Sequence, residues 1–372
     1  THFDSGFFSV NSATRFDGSG LLMLSGGGNL GGSGVLTIAS GFNWTGGTMS
    51  GTGKTVLAGT ASMTSAGTRI LDRTLEIAAG ASLDIADGVN IQRSTSNGGT
   101  GGIVALGTLT KSSVTGTGTS TLLYLDLQGN ISSKSGTLSI YGNTAGTNLG
   151  AASFSTSGTG TLRLDSGLFT LTDGQTAVVS AGTLELSGAQ LSTAGSSTIA
   201  GAGTFFLTNG SIDGAGTLNF SSGFNWTNGS MNGSGVTRLL NAVRLTGSNT
   251  RLLNRTLEIA AGGSLDLGDN VLIQRSVSSG GTGAINAIGA VTKSTGSGSA
   301  YLRYLDLSGN ISSASGILSI YGNSAGSTIN GTSFSTTAGG LLRLDSGLFN
   351  LNQGESVAVT AGTLEISGAT LT

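Results

Sequence analysis

The chain has 372 residues, of which 67 are Gly and none Pro or Cys; only 9% are charged, and the formal net charge is -2. Without a stripe of Lys or Arg to neutralise phosphate, nucleic acid is not an expected partner, and the lack of Cys excludes disulfide frameworks and thiol chemistry. A hydrophobic fraction of 37% at near-zero net charge argues against disorder, and no run of about 18 to 20 apolar residues offers a membrane span.

Along the chain, apolar residues come in short alternating runs punctuated by Gly, Ser or Asn. Ser40 opens SGFNWTGGTMSG, Arg73 opens RTLEIAAGASLDIADGVNIQRS, Leu123 opens LYLDLQGNISS and Leu162 opens LRLDSGLF. From Leu162 onward inward-type residues recur mostly every six to eight positions, among them Leu171, Val178, Leu184, Leu245, Leu252 and Leu257. Within runs such as Leu184-Glu185-Leu186 and Leu265-Asp266-Leu267, a period of two predicts strands with Leu inside and the charged residue outside.

The same segments then return. SGFNWTNGSMNG begins at Ser222 and RTLEIAAGGSLDLGDNVLIQRS at Arg255, each 182 positions on, whereas LRLDSGLF recurs at Leu342, 180 positions after Leu162. Two residues are therefore lost between Ser276 and Leu305, in a Gly- and Ser-rich stretch of the kind a loop tolerates. The repeat divides the chain into a first long unit, 1–182, a second, 183–362, and the start of a third, 363–372, so a longer array is the expected context.

Strands of three to five residues between Gly turns, with few of the Asn-Gly and Asp-Gly doublets that hairpins favour, predict an all-β chain folded as a β-solenoid. Three sides would make one coil of roughly 20 residues. At about 4.8 Å per stacked strand, roughly eighteen coils would form a rod about 85 to 90 Å long. The lack of Pro fits, since Pro would remove a ladder hydrogen bond, and Gly suits corners that need positive φ.

The runs SGFNWTGGTMSGTGKTVL, RTLEIAAGASLDI and GAGTLNFSSGFNW resemble the repeat regions of large bacterial exported proteins, the filamentous-haemagglutinin-like and autotransporter-passenger β-helices. The likeness spans the chain as a texture of Gly-punctuated Leu pairs. It implies a right-handed parallel β-helix outside the cell, serving adhesion, cell–cell contact or a surface layer. Neither the secretion domain nor the membrane barrel of those proteins is visible here, which leaves the export route open.

Chemistry is sparse. His2 is the one histidine, so neither a triad with a held base nor a zinc site is predicted, and no cofactor is expected. Carboxylates that a polysaccharide lyase or hydrolase would use are Asp84 and Asp87, copied as Asp266 and Asp269, and the pair Arg163 and Asp165, copied as Arg343 and Asp345. Their duplication favours outward strand residues over a single cleaving groove, and no enzyme is expected. Trp44 and Trp226 each follow a Phe by two residues (Phe42 and Phe224); they are core fillers, the preferred assignment, or an exposed platform for surface or glycan contact. The expected function is a stiff structural or adhesive segment of a surface fibre. Its partners would be further copies of itself, head-to-tail or lateral, and surface glycans, engaged through many weak contacts. A carbohydrate-active or glycan-binding β-helix is the alternative.

Overall fold

A computed structural model of the chain describes residues 1–94, 101–276, 282–337 and 339–372. Short alternating segments cannot bury an apolar face alone. Stacked in parallel, each lends its backbone N–H and C=O groups to the segment one coil on.

In the first compact unit, Thr1–Leu171 with Gln175–Gln190 and Gly201–Thr204, three such ladders form. One carries Val35–Ile38, Lys54–Leu57, Thr74–Ile77 and the start of Gly102–Lys111, with Val35, Lys54, Thr74 and Gly102 in one column. A second carries Gly41–Trp44, Thr60–Met63, Ser82–Ile85 and the end of Gly102–Lys111. The third carries Thr48–Met49, Gly67–Leu71, Val89–Gln92 and Thr119–Leu123. Every one of these pairings is parallel, and each coil has three strands.

The second unit, Thr172–Gly174, Leu191–Ala200 and Phe205–Thr372, repeats the plan. Thr217–Phe220, Val236–Leu239, Thr256–Ile259 and the start of Ala284–Lys293 form one ladder. Ala242–Leu245, Ser264–Leu267 and the end of Ala284–Lys293 form another. Ser230–Met231, Thr250–Leu253, Leu272–Gln274 and Ser299–Arg303 form the third. The fold is thus the all-β parallel solenoid that the periodicity predicts, with no helix among the described residues. The repeat boundary at 182/183 falls within 172–204, where residues of the two units alternate along the sequence.

Counted over both units, the described residues make about 16 turns, fewer than the roughly eighteen that 20-residue coils would give. Coils lengthen in places: Lys54 to Thr74 is a step of 20 residues, but Thr74 to Gly102 is 28 and Asn90 to Thr121 is 31. Register also locates the two-residue loss. Gly102–Lys111 and Ala284–Lys293 keep the 182-residue interval, whereas Thr119–Leu123 and Ser299–Arg303 stand 180 apart. The shortened segment is therefore the loop after the lysine, 112–118 in one copy and 294–298 in the other.

Alternation decides which side chains enter the core. Leu75 and Ile77 are fully buried between outward Thr74 and Glu76, each such apolar side chain contributing about 1.5 to 3 kcal/mol. At two expected anchors the phase is the opposite one. Val178 faces outward between buried Ala177 and Val179, and Leu252 faces outward between buried Arg251 and Leu253. A slip of one residue exchanges the faces of a strand, and Leu252 yields because Leu253, Leu257 and Ile259 share the opposite phase.

Corners bring successive coils too close for a side chain. At Gly167 (φ 82°) an added Cβ would lie 2.0 Å from the Gly142 carbonyl oxygen, and at Gly347 (φ 90°) 2.0 Å from that of Gly322. Gly167→Ala or Gly347→Ala combines this clash with a left-handed backbone, and is expected to lower stability by about 2 to 4 kcal/mol. Urea unfolding measures it; an unchanged midpoint would mean that these corners are not packed as described.

Candidate functional site: the tyrosine corners

The interior breaks the rule that charged residues face out. Arg69, Arg73 and Lys111 in the first unit, and Arg251, Arg255 and Lys293 in the second, are fully buried. Arg69 donates from Nε to the Trp44 carbonyl (2.9 Å), from Nη1 to that of Gly67 (2.5 Å) and from Nη2 to that of Ser65 (2.6 Å). Arg251 does the same with the carbonyls of Trp226, Asn249 and Thr246. Arg73 reaches one coil back to the Ser50 carbonyl (3.3 Å) and two coils back to that of Gly34 (2.9 Å). Arg255 repeats this with Asn232 (3.2 Å) and Gly216 (2.8 Å).

Carbonyls crowd at the corners, where some, such as those of Gly34 and Gly216, also accept from a strand N–H, and a buried carbonyl left unpaired is costly. One guanidinium, with five donors, answers several at once. Burial lowers the pKa of all four arginines, to about 10 for Arg251 and Arg255, so they remain cations at neutral pH. The signal was present in the sequence, because Arg69, Leu71, Arg73, Leu75 and Ile77 share one alternating phase.

The buried lysines meet the carboxylates that the repeats had marked. Lys111 Nζ lies 2.6 Å from Asp87, and Lys293 Nζ 2.6 Å from Asp269. Asp87 also accepts from Ser113 Oγ (2.6 Å) and Thr115 Oγ1 (3.1 Å). Asp84 accepts from Ser112 Oγ (2.6 Å), and Asp266 from the Ser294 backbone N–H (3.0 Å). These four carboxylates anchor the loop after each lysine to an earlier coil.

On the outside, all five tyrosines of the chain gather at one corner of the coil in two copies: Tyr124 and Tyr141, then Tyr301, Tyr304 and Tyr321. Tyr124 (φ 65°) and Tyr304 (φ 63°) take the left-handed conformation, which costs a side-chain-bearing residue about 1 to 3 kcal/mol. The kink lets both flanking leucines enter the core, Leu122 with Leu125 and Leu302 with Leu305. The strained amides are paired, Tyr124 N–H donating to the Tyr141 carbonyl and Tyr304 N–H to that of Tyr321, both at 2.8 Å.

Beside each corner stands an ion pair. Arg163 and Asp165 approach to 2.5 Å, as do Arg343 and Asp345, and the carboxylate raises the arginine pKa in both. In the first unit one outward column runs Thr121, Ser139, Arg163, Glu185, and in the second Tyr301, Ser319, Arg343, Glu365. The neighbouring column holds Leu123 and Tyr141 in one copy, Arg303 and Tyr321 in the other. The second corner thereby gains a ring and a cation, and burial raises the Tyr321 pKa, with Asp345 adding to the shift.

The other residues singled out in the sequence lie elsewhere. Trp44 and Trp226 are fully buried, and Phe42 and Phe224 on the same face are buried with them; alternation directs both indoles inward, so neither offers a ring to a surface ligand. His2 is exposed, its Nε2 2.6 Å from Ser25 Oγ, and that hydroxyl also lies 2.7 Å from Asp4. Asp4 approaches the same Nε2 at 4.0 Å, not the Nδ1 at which a triad base is oriented. Among the described residues no helix is long and apolar enough to cross a membrane. Comparison with protein-family models, curated proteins and solved structures finds no match.

Acid should expose the role of the lysine pairs. Hydrogen bonds from Lys111 and Ser113 hold Asp87 below its ordinary carboxylate value, and the bond from Lys293 does so for Asp269. A carboxyl with a depressed folded-state pKa contributes stability that is complete above its unfolded value and is lost as pH falls through the folded one. Urea midpoints should therefore hold steady from neutrality to about pH 5 and fall below about pH 4. Asp87→Asn and Asp269→Asn should lower the neutral-pH midpoint and flatten that acid slope; a slope equal to the native one would remove these pairs from the account.

Proposed function

We propose that this chain is a structural and adhesive segment of an extracellular bacterial surface fibre, a secreted repeat protein that presents weak contact groups at regular intervals. The observation that carries the proposal is recurrence: the same outward Tyr, Arg and Asp side chains stand at the same phase of the coil in both units. The solenoid fold supports it, because a parallel stack extends by adding coils without redesign. So does the resemblance of the repeat runs to exported β-helix adhesins. Contacts too weak to hold singly become effective when presented together, and the partners implied are surface glycans and further copies of the chain. Cleavage of polysaccharide is the competing function. Against it, Arg163–Asp165 and Arg343–Asp345 occur twice and each carboxylate is neutralised by an arginine two residues away.

Beads coated with the full chain at graded density are expected to stick to glycan-bearing cell surfaces with a steeper than linear dependence on density, free chain competing weakly. Retention in simple proportion to density would remove the multivalent mechanism. Release of oligosaccharides from a polysaccharide incubated with the chain would put catalysis in place of adhesion.

A further inference from the structure

We propose that the corner of the second unit formed by Tyr301, Arg303 and Tyr321 binds a carboxylate-bearing sugar, a uronic acid, with Arg303 taking the carboxylate. The Arg303 guanidinium carbon lies 4.8 Å from the Tyr321 ring centroid and 5.4 Å from that of Tyr301. The two rings are 6.4 Å apart and inclined at 45°. The cation thus lies against both aromatic side chains, an arrangement that fixes a guanidinium without neutralising it.

What it lacks is an anion. The neighbouring arginine, Arg343, is neutralised by Asp345, as Arg238 is by Glu258 and Arg163 by Asp165. Arg303 forms no ion pair among the described residues, and its Nε is buried without a hydrogen-bond partner. Carboxylate matches the planar fork of a guanidinium, and the tyrosine rings suit the apolar face of a pyranose.

Asp345, one coil on, is taken up by Arg343 and by the Tyr321 hydroxyl, so it does not compete for Arg303. One unpaired cation beside two tyrosine rings fits a sugar ring bearing a single carboxylate. The first unit provides an internal control: Leu123 stands where Arg303 does and Thr121 where Tyr301 does, beside the matching Tyr141. That corner carries no cation at the position of Arg303 and should not discriminate for the acid. The inference goes beyond the adhesive role and shares with it only the premise that the outward face makes contact, since its test reads binding to the free chain.

The test is calorimetric titration of the full chain with trigalacturonate, with neutral galactotriose and with a triglutamate peptide. Trigalacturonate should bind at least about tenfold more tightly than galactotriose, as expected for one charge-assisted contact. Arg303→Leu, which installs the side chain already accommodated at Leu123, should abolish the difference while leaving the urea midpoint unchanged. Thr121→Tyr combined with Leu123→Arg should create a second acid-preferring site in the same chain. Trigalacturonate that fails to bind, an Arg303→Leu chain that keeps the preference, or a triglutamate peptide that binds equally well would each overturn the proposal.

Discussion

In-register parallel stacking of backbone is the constraint from which the other features of this protein derive. A strand of four residues has no partner within its own coil; its hydrogen bonds run to the coils before and after it. Once Val35, Lys54, Thr74 and Gly102 share a column, every side chain of one phase lies over its counterpart, and corners pass within contact distance of the preceding corner. Gly is then obligatory where a carbonyl oxygen occupies the space of a Cβ, as at Gly167 and Gly347.

The same constraint accounts for the charged interior. Corner carbonyls converge on the interior, and the molecule meets them there with the N–H donors of guanidinium groups. Burying a cation is costly and ion pairing does not always offset it. Arg69 and Arg251 are instead solvated by three and four backbone carbonyls respectively, so the charge is stabilised by dipoles fixed in the same coils that it ties together. Arg73 and Arg255, reaching two coils back, make neighbouring turns depend on one another beyond the nearest-neighbour ladder.

With stability carried by the inward phase and the corners, the outward phase is free to vary. The two units keep the inward set almost unchanged across the repeat, including all six buried cations, while Thr121 and Leu123 of one copy stand where the other has Tyr301 and Arg303. A scaffold of this kind lets the outward side chains of one copy differ from those of the other without a change of fold.

Much of this was legible in the sequence. Alternation in Leu184-Glu185-Leu186, the Gly-marked corners and the 182-residue return of RTLEIAAG are local or periodic signals, and they suffice for parallel strands, three to a coil. They also bring Asp87 and Asp269 to notice, though as outward strand residues and not as partners of buried lysines. Phase was harder. Leu252 looks inward because it is Leu, yet Arg251 takes the interior with Leu253, Leu257 and Ile259 in the same phase, and the carbonyls that receive its guanidinium are brought to it only once the coils are stacked. The tyrosine corner was invisible for the same reason: Tyr141 and Arg163, or Arg303 and Tyr321, lie about a coil apart in the chain, and only the register of the stack makes them neighbours. Composition and period determined the fold because both act within a few residues, whereas the grouping of side chains into sites waited on contacts between coils.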